Sequence, residues 1–115
     1  MSELIETDIC VIGGGSGGLS VAAGAVQMGA QTVLVEHGKM GGDCLNYGCV
    51  PSKALISAAN AAQSAREMEK YGISAGSVHT DMGAVRTHIQ AAISAIEPHD
   101  SVERFEGLGL SLIHI

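Results

Sequence analysis

The chain has 115 residues, enough for one small domain or part of a larger one, and its net charge of −6 comes without any cluster of Lys and Arg. Phosphate neutralisation needs clustered cations, so a nucleic-acid partner is disfavoured; a bilayer span would need about eighteen successive apolar residues, and no such run exists. The acidic start "MSELIETD" lacks the positive region of a signal peptide, which makes a reducing cytoplasm the expected compartment.

Sixteen glycines and three aromatics leave a core to be built from Ala, Val, Ile, Leu and Met. The glycines bunch at 13–18 and 38–48, as backbone-driven loops do, and there are no internal repeats and no linker. Residues 8–12 of "TDICVIGGGSGG" read as a buried parallel strand, with Cys10 as a small core residue. The segment from Ser16 to Gly29 sets Leu19, Ala22, Ala23 and Val26 at helical spacing, with Gly29 as C-cap, and "QTVLVE" (31–36) is a second buried strand. Strand, glycine turn, helix and strand make a βαβ unit whose crossover is expected to be right-handed.

"GGGSGG" matches G-x-G-x-x-G through Gly13, Gly15 and Gly18: a tight turn, a close backbone approach to a pyrophosphate, and close helix–strand packing. Phosphates would sit on the free N–H groups of the helix beginning near Ser16. Glu36 lies eighteen residues after Gly18, at the end of the next strand, where a carboxylate accepts ribose hydroxyls. Such a carboxylate repels a 2′-phosphate, so the adenosine half suits FAD or NAD better than NADP. A glycine-rich turn without a ligand is the plainer reading.

"GGDCLNYGCVPSK" (41–53) carries Cys44 and Cys49. On one ideal helix their Cα atoms would lie roughly 8–9 Å apart, beyond the roughly 7 Å that a disulfide tolerates. Either thiol, to bond the other, must therefore leave regular helix, and Gly41, Gly42 and Gly48 supply that freedom. So small a ring is a weak staple. As reactive thiols the pair is better placed, because Cys49 precedes Pro51 and a helix whose N-terminus favours a thiolate, with Lys53 one turn on. A structural metal site would need more ligands than this pair offers. The five histidines, at 37, 79, 88, 99 and 114, show no ligand spacing.

"PSKALISAANAAQSAREMEKYG" predicts a helix over about 50–70 stopped by Gly72, and "DMGAVRTHIQAAISAI" an amphipathic helix over 81–96 with Asp81 as N-cap and Met82, Val85, Ile89, Ile93 and Ile96 on one face. Pro98 breaks it, and Asp100 with Glu103 form a capping-box pair for a short helix. The tail "LSLIHI" (110–115) is an in-frame translation of CTGTCTCTTATACACATC, which resembles a transposon adapter used in library preparation. A non-native tail is therefore expected, with a natural strand ending in His as the alternative.

In order and spacing, "GGGSGG", Glu36 and "GGDCLNYGCVPSK" resemble the N-terminal end of the flavin-dependent pyridine nucleotide–disulfide oxidoreductases, over residues 4 to about 109. The Pro-Ser-Lys ending and "HDSVERFEGLG" are similar to the lipoamide dehydrogenase and mercuric reductase branch. The resemblance implies an α/β fold: a Rossmann-like FAD-binding βαβ unit with parallel strands followed by helices, an incomplete domain over 1–109. It implies FAD as cofactor, with Gly13, Gly15, Ser16, Gly18 and Gly42 around the pyrophosphate, Glu36 on the ribose and His37 at the adenine edge. Cys49 would be the thiol beside the flavin, Cys44 the interchange thiol that meets substrate, and Lys53 a charge near the flavin edge. Asp43 replaces the family's usual Thr, and a carboxylate beside a pyrophosphate is unfavourable unless hydrogen-bonded, turned away, or compensated by Lys39 or Lys53. NAD(P)H would act through a domain outside these residues. The substrate would be a small-molecule or protein-bound disulfide, lipoamide, or mercuric ion, and the parent a homodimer, the piece alone being inactive. The other readings are a nucleotide-binding dehydrogenase without thiol chemistry and a non-catalytic redox or metal-binding module.

Overall fold

The computed structural model describes residues 2–115. Three parallel strands lie in the order β1 (Ile9–Ile12), β2 (Thr32–Glu36), β3 (Ser111–His114), with β2 in the centre. Register pairs Val11 with Leu34 on one side, and Leu34 with Leu112 on the other. Read from β3, the order 3-2-1 is that of the first half of a dinucleotide-binding sheet. The chain is thus the α/β, Rossmann-like unit with parallel strands that its pattern predicts.

Helix α1 (Ser16–Gln27) crosses from β1 to β2 and seals one sheet face: Leu19 and Ala22 join Val11, Leu34, Phe105 and Leu110 in the core. Its end is a Schellman motif, in which Gly29 at φ +88° donates to the Val26 carbonyl and Ala30 to the Ala25 carbonyl. Burial departs from expectation at β1. Only Val11 of that strand is buried; Ile12 is 85 % exposed and Cys10 is exposed as well. The cause is position. β1 is an outer strand of the sheet, and α1 covers just one of its faces, so Cys10 is not the core residue predicted.

After α2 (Gly42–Asn46) comes α3 (Cys49–Glu67), closed by a 3-10 turn over Met68–Tyr71 and by Gly72 at φ +78°. Helix α4 (Met82–Ile96) opens where Asp81 accepts from the N–H groups of Gly83 and Ala84, as the N-cap reading requires. The two long helices pack on each other and extend the molecule to 69 × 30 × 18 Å. With one partner layer each, they bury little: Ala54 is the sole buried residue of α3, and α4 has none. None of the helices among the described residues is long and apolar enough to cross a membrane.

The capping-box reading of Asp100 and Glu103 is corrected. Asp100 belongs to a 3-10 turn over Glu97–Asp100, and Ser101 is the N-cap of α5 (Val102–Gly107), its hydroxyl accepting from the Arg104 N–H at 3.3 Å. Pro98 holds that 3-10 turn at its first residues and shifts the helix start by one position. Residues 111–114 of the tail pair as a strand, with Leu110 buried ahead of them. That pairing concerns the conformation of the tail, not the origin of its codons.

Candidate functional site

The carboxyl ends of the strands converge on the glycine turn. Gly13, at φ +104°, leaves β1, and its N–H donates to the Val35 carbonyl at 2.8 Å. A Cβ on Gly18 would overlap the Gly13 carbonyl oxygen, so the third glycine of the motif is there for the contact between α1 and the turn. The α1 N-terminus has no side-chain cap, and around Gly13 and Gly17 an added Cβ would meet nothing within 4 Å. The turn is therefore packed below and open above, with the first helical N–H groups directed to the open side.

Glu36 does more than its position in the sequence suggests. It is 7 % exposed, and its carboxylate accepts from three backbone N–H groups: Gly14 at 2.5 Å, His37 at 2.7 Å and Gly38 at 2.7 Å. These bonds, that from Gly38 foremost, hold its pKa below the usual carboxylate range against the opposing effect of burial. Three of about four acceptor positions are used, which leaves one for an incoming hydroxyl. His37 is exposed, with its ring Nδ1 3.3 Å from Glu36.

Gly14 is a residue that the motif hides, since it occupies a variable place in G-x-G-x-x-G. It is buried, gives its N–H to Glu36 and receives the Gly41 N–H on its carbonyl at 2.8 Å; a Cβ there would come within 2.9 Å of the Met40 sulfur. Gly15 bridges Gly41 in parallel fashion, and a Cβ on Gly42 would lie 2.7 Å from the Gly15 Cα. The first two glycines of "GGDC" are thus what lets the cysteine loop rest on the dinucleotide turn. Two motifs 23 residues or more apart become one site.

Cys44 sits inside α2 and Cys49 opens α3, with Tyr47 and Gly48 between the helices. The break that a bond between them requires is present. The structure holds both as free thiols, Cys44 half-buried and Cys49 exposed. The neighbouring Cys49 thiol pushes the Cys44 thiol above its ordinary range, desolvation adds to this, and the charge of Lys53 opposes it. Gly48 allows the return of the chain, for a Cβ there would meet the Asp43 carbonyl oxygen at 3.0 Å.

Asp43 is exposed in the first turn of α2. It lines a cleft of about 380 Å³ with Glu36, His37, Lys39, Gly42 and Tyr47, and the Lys39 ammonium lies 6.0 Å from the Tyr47 ring. Of the two cations suggested as compensation, Lys39 shares that cleft and Lys53 acts on the Cys44 thiol. A second cleft of about 460 Å³ runs from Glu36 and Lys39 past Ile93 and Ser101 to Leu112 and His114. Among the described residues, no three His, Cys, Asp or Glu side chains gather as metal ligands would.

The residues present fit a dinucleotide cofactor: an open, uncapped helix start, a turn without side chains, and a carboxylate with one acceptor position to spare. Comparison with known proteins agrees. Residues 7–106 match the family described as pyridine nucleotide-disulphide oxidoreductase. The chain is similar to the dihydrolipoyl dehydrogenase of Bacillus subtilis (strain 168), 38 % identical over 79 % of the chain and 19 % of that relative. It is similar also to that of Geobacillus stearothermophilus, 46 % identical over 71 % of the chain and 17 % of the relative. Dihydrolipoyl dehydrogenase 2 of Haloarcula marismortui is 52 % identical over 58 % of the chain and 14 % of that protein. The chain spans a fifth or less of the length of these curated relatives.

Proposed function

The chain belongs to the pyridine nucleotide-disulphide oxidoreductase family, and from that membership we propose that it supplies the FAD-binding turn and the redox-active dithiol of a longer enzyme. That enzyme passes electrons between NAD(P)H, FAD and the Cys44–Cys49 pair, and exchanges them with a disulfide substrate. The names of the similar proteins favour dihydrolipoamide and its disulfide over mercuric ion. The observation that carries the proposal is the seating of Gly41 and Gly42 on Gly14 and Gly15, which joins the thiol loop to the dinucleotide turn.

Gly13, Gly15, Gly18 and Gly42, with the N–H groups from Ser16 onward, would hold the pyrophosphate; Glu36 would accept a ribose hydroxyl, with His37 at the adenine edge. Asp43 shares its cleft with Lys39, whose charge would offset the carboxylate beside a phosphate. FAD, when bound, would supply a carrier for the two electrons stored in the dithiol. The chain's own chemistry is exchange. The Cys44 thiolate attacks one sulfur of the substrate disulfide, the other sulfur leaves as a thiol on taking a proton, and a mixed disulfide forms. Cys49 then attacks Cys44, releases the second substrate thiol and closes the Cys44–Cys49 disulfide. Substrate gains two electrons and two protons, the pair loses them, and for dihydrolipoamide the sequence runs in reverse. Lys53 favours the anionic form of Cys44. A reducing cytoplasm keeps such a pair ready for turnover, and the parent enzyme works as a homodimer.

The test uses a full-length protein that carries this segment. It purifies yellow, develops a long-wavelength charge-transfer band on two-electron reduction, and loses that band in Cys49→Ser while Cys44→Ser keeps it. A band that survives Cys49→Ser contradicts the assignment of the two thiols.

A further inference from the structure

We propose that Asn46 is a positioning residue that sets the separation of the Cys44 and Cys49 sulfurs, by tying the turn that carries Cys44 to the loop resting on the glycine turn. Its side-chain amide has two N–H donors, and both are used on one short stretch: Nδ2 donates to the Met40 carbonyl at 3.1 Å and to the Gly42 carbonyl at 2.9 Å. Cys44 lies between the two ends of this clamp.

The clamp matters because the turn, although it packs on α3 and α4, is short. Helix α2 has five residues, far below the length at which a helix persists on its own propensity. Its N-cap is Gly41 in the left-handed region, with no side chain capping the first N–H groups. Its following residue, Tyr47, is exposed, and Leu45 is its one buried anchor. Asn46 closes this turn at its far end and fastens it to Met40 and Gly42. Gly41 and Gly42 are in turn seated on Gly14 and Gly15. On the other side of Cys44, the long helix α3 fixes Cys49 at its first residue. The geometry of the pair is therefore the geometry between a long rigid helix and a one-turn helix, and the Asn46 amide determines the second.

The inference rests on the reading of Cys44 and Cys49 as a redox pair, and the test separates the two. The 115-residue chain is used with Cys10→Ser, because Cys10 is exposed and would add intermolecular disulfides. It is equilibrated with mixtures of glutathione and its disulfide, and the thiols are alkylated and counted by mass. One glutathione disulfide and the two protein thiols give the Cys44–Cys49 disulfide and two glutathione thiols, so the equilibrium constant is the effective concentration of the pair. Asn46→Leu, close in volume but without donors, is expected to lower that constant about tenfold, as the loss of two hydrogen bonds of ordinary strength implies. Asn46→Ser, with one shorter donor, is expected to fall between, and it carries the test where Asn46→Leu does not fold. Wild-type constants in both variants would overturn the inference and leave the redox reading intact. A wild-type chain that forms no Cys44–Cys49 disulfide at any ratio would overturn the redox reading, and the inference with it.

Discussion

Glu36 holds three backbone N–H groups in a buried place, and this single carboxylate joins the end of β2 to the turn after β1. Its pKa is depressed in the folded chain, so its contribution to stability is present above the unfolded value of 4.5 and is lost as pH falls through the lower folded value. Glu36→Gln replaces one acceptor oxygen by a donor facing N–H groups. It is expected to lower stability at neutral pH by roughly 2 kcal/mol, the scale of a hydrogen bond to a charged group, and to flatten the acid limb of the stability curve. Urea unfolding from pH 7 down to pH 3 checks both. A variant as stable as wild type at neutral pH would contradict the structural role. The sequence reading cast Glu36 as a ligand-binding acid and missed its structural role, since spacing says where a carboxylate ends a strand and nothing about which amides surround it. Gly14 was hidden for a related reason: a motif that marks positions as variable cannot show that Met40 and Glu36 close in on one of them.

The element that decides the site is the short turn α2, and its seating depends on glycine. Gly42 has φ +57°, and a Cβ there would lie 2.7 Å from the Gly15 Cα. Gly42→Ala is therefore expected to destabilise the chain by roughly 1–3 kcal/mol, the cost of a strained left-handed residue with no room to relax. Gly17→Ala, in a helix and facing open space, should be neutral or stabilising by about 0.5–1 kcal/mol. Denaturant midpoints of the two variants, measured side by side, test whether the loop is seated as described; equal midpoints would deny it. The long elements and most of their boundaries were readable, because α1 and α4 carry apolar spacing, α3 is rich in Ala, and their ends are marked by residues such as Asp81, Gly29 and Gly72, whereas the short helix α2 was not anticipated. The α5 start was misread by one residue. Asp100 and Ser101 are both good N-caps, and only the 3-10 turn held by Pro98 selects Ser101. The burial of β1 was misread because a short apolar run implies cover on both faces, whereas cover comes from other elements, and here only α1 lies against it.

At the scale of the molecule, half of a dinucleotide-binding sheet stands with β1 at its edge and an α3–α4 pair projecting from it. Ile12, Leu4 and Met28 are 85 %, 85 % and 89 % exposed, which is more apolar surface than a chain of this size gains from leaving open. What the arrangement does achieve is local: the carboxyl ends of the strands, the uncapped start of α1 and the two thiols share one end of the sheet. The measurement that tests this most directly is the alkylation rate of Cys49 in the chain with Cys10→Ser, with and without saturating FAD, and with adenosine monophosphate as control. FAD is expected to slow Cys49 severalfold, and the monophosphate, which cannot reach from the ribose acid to the thiol loop, to leave it unchanged. A Cys49 rate indifferent to FAD would mean that the glycine turn and the cysteine loop do not form one site.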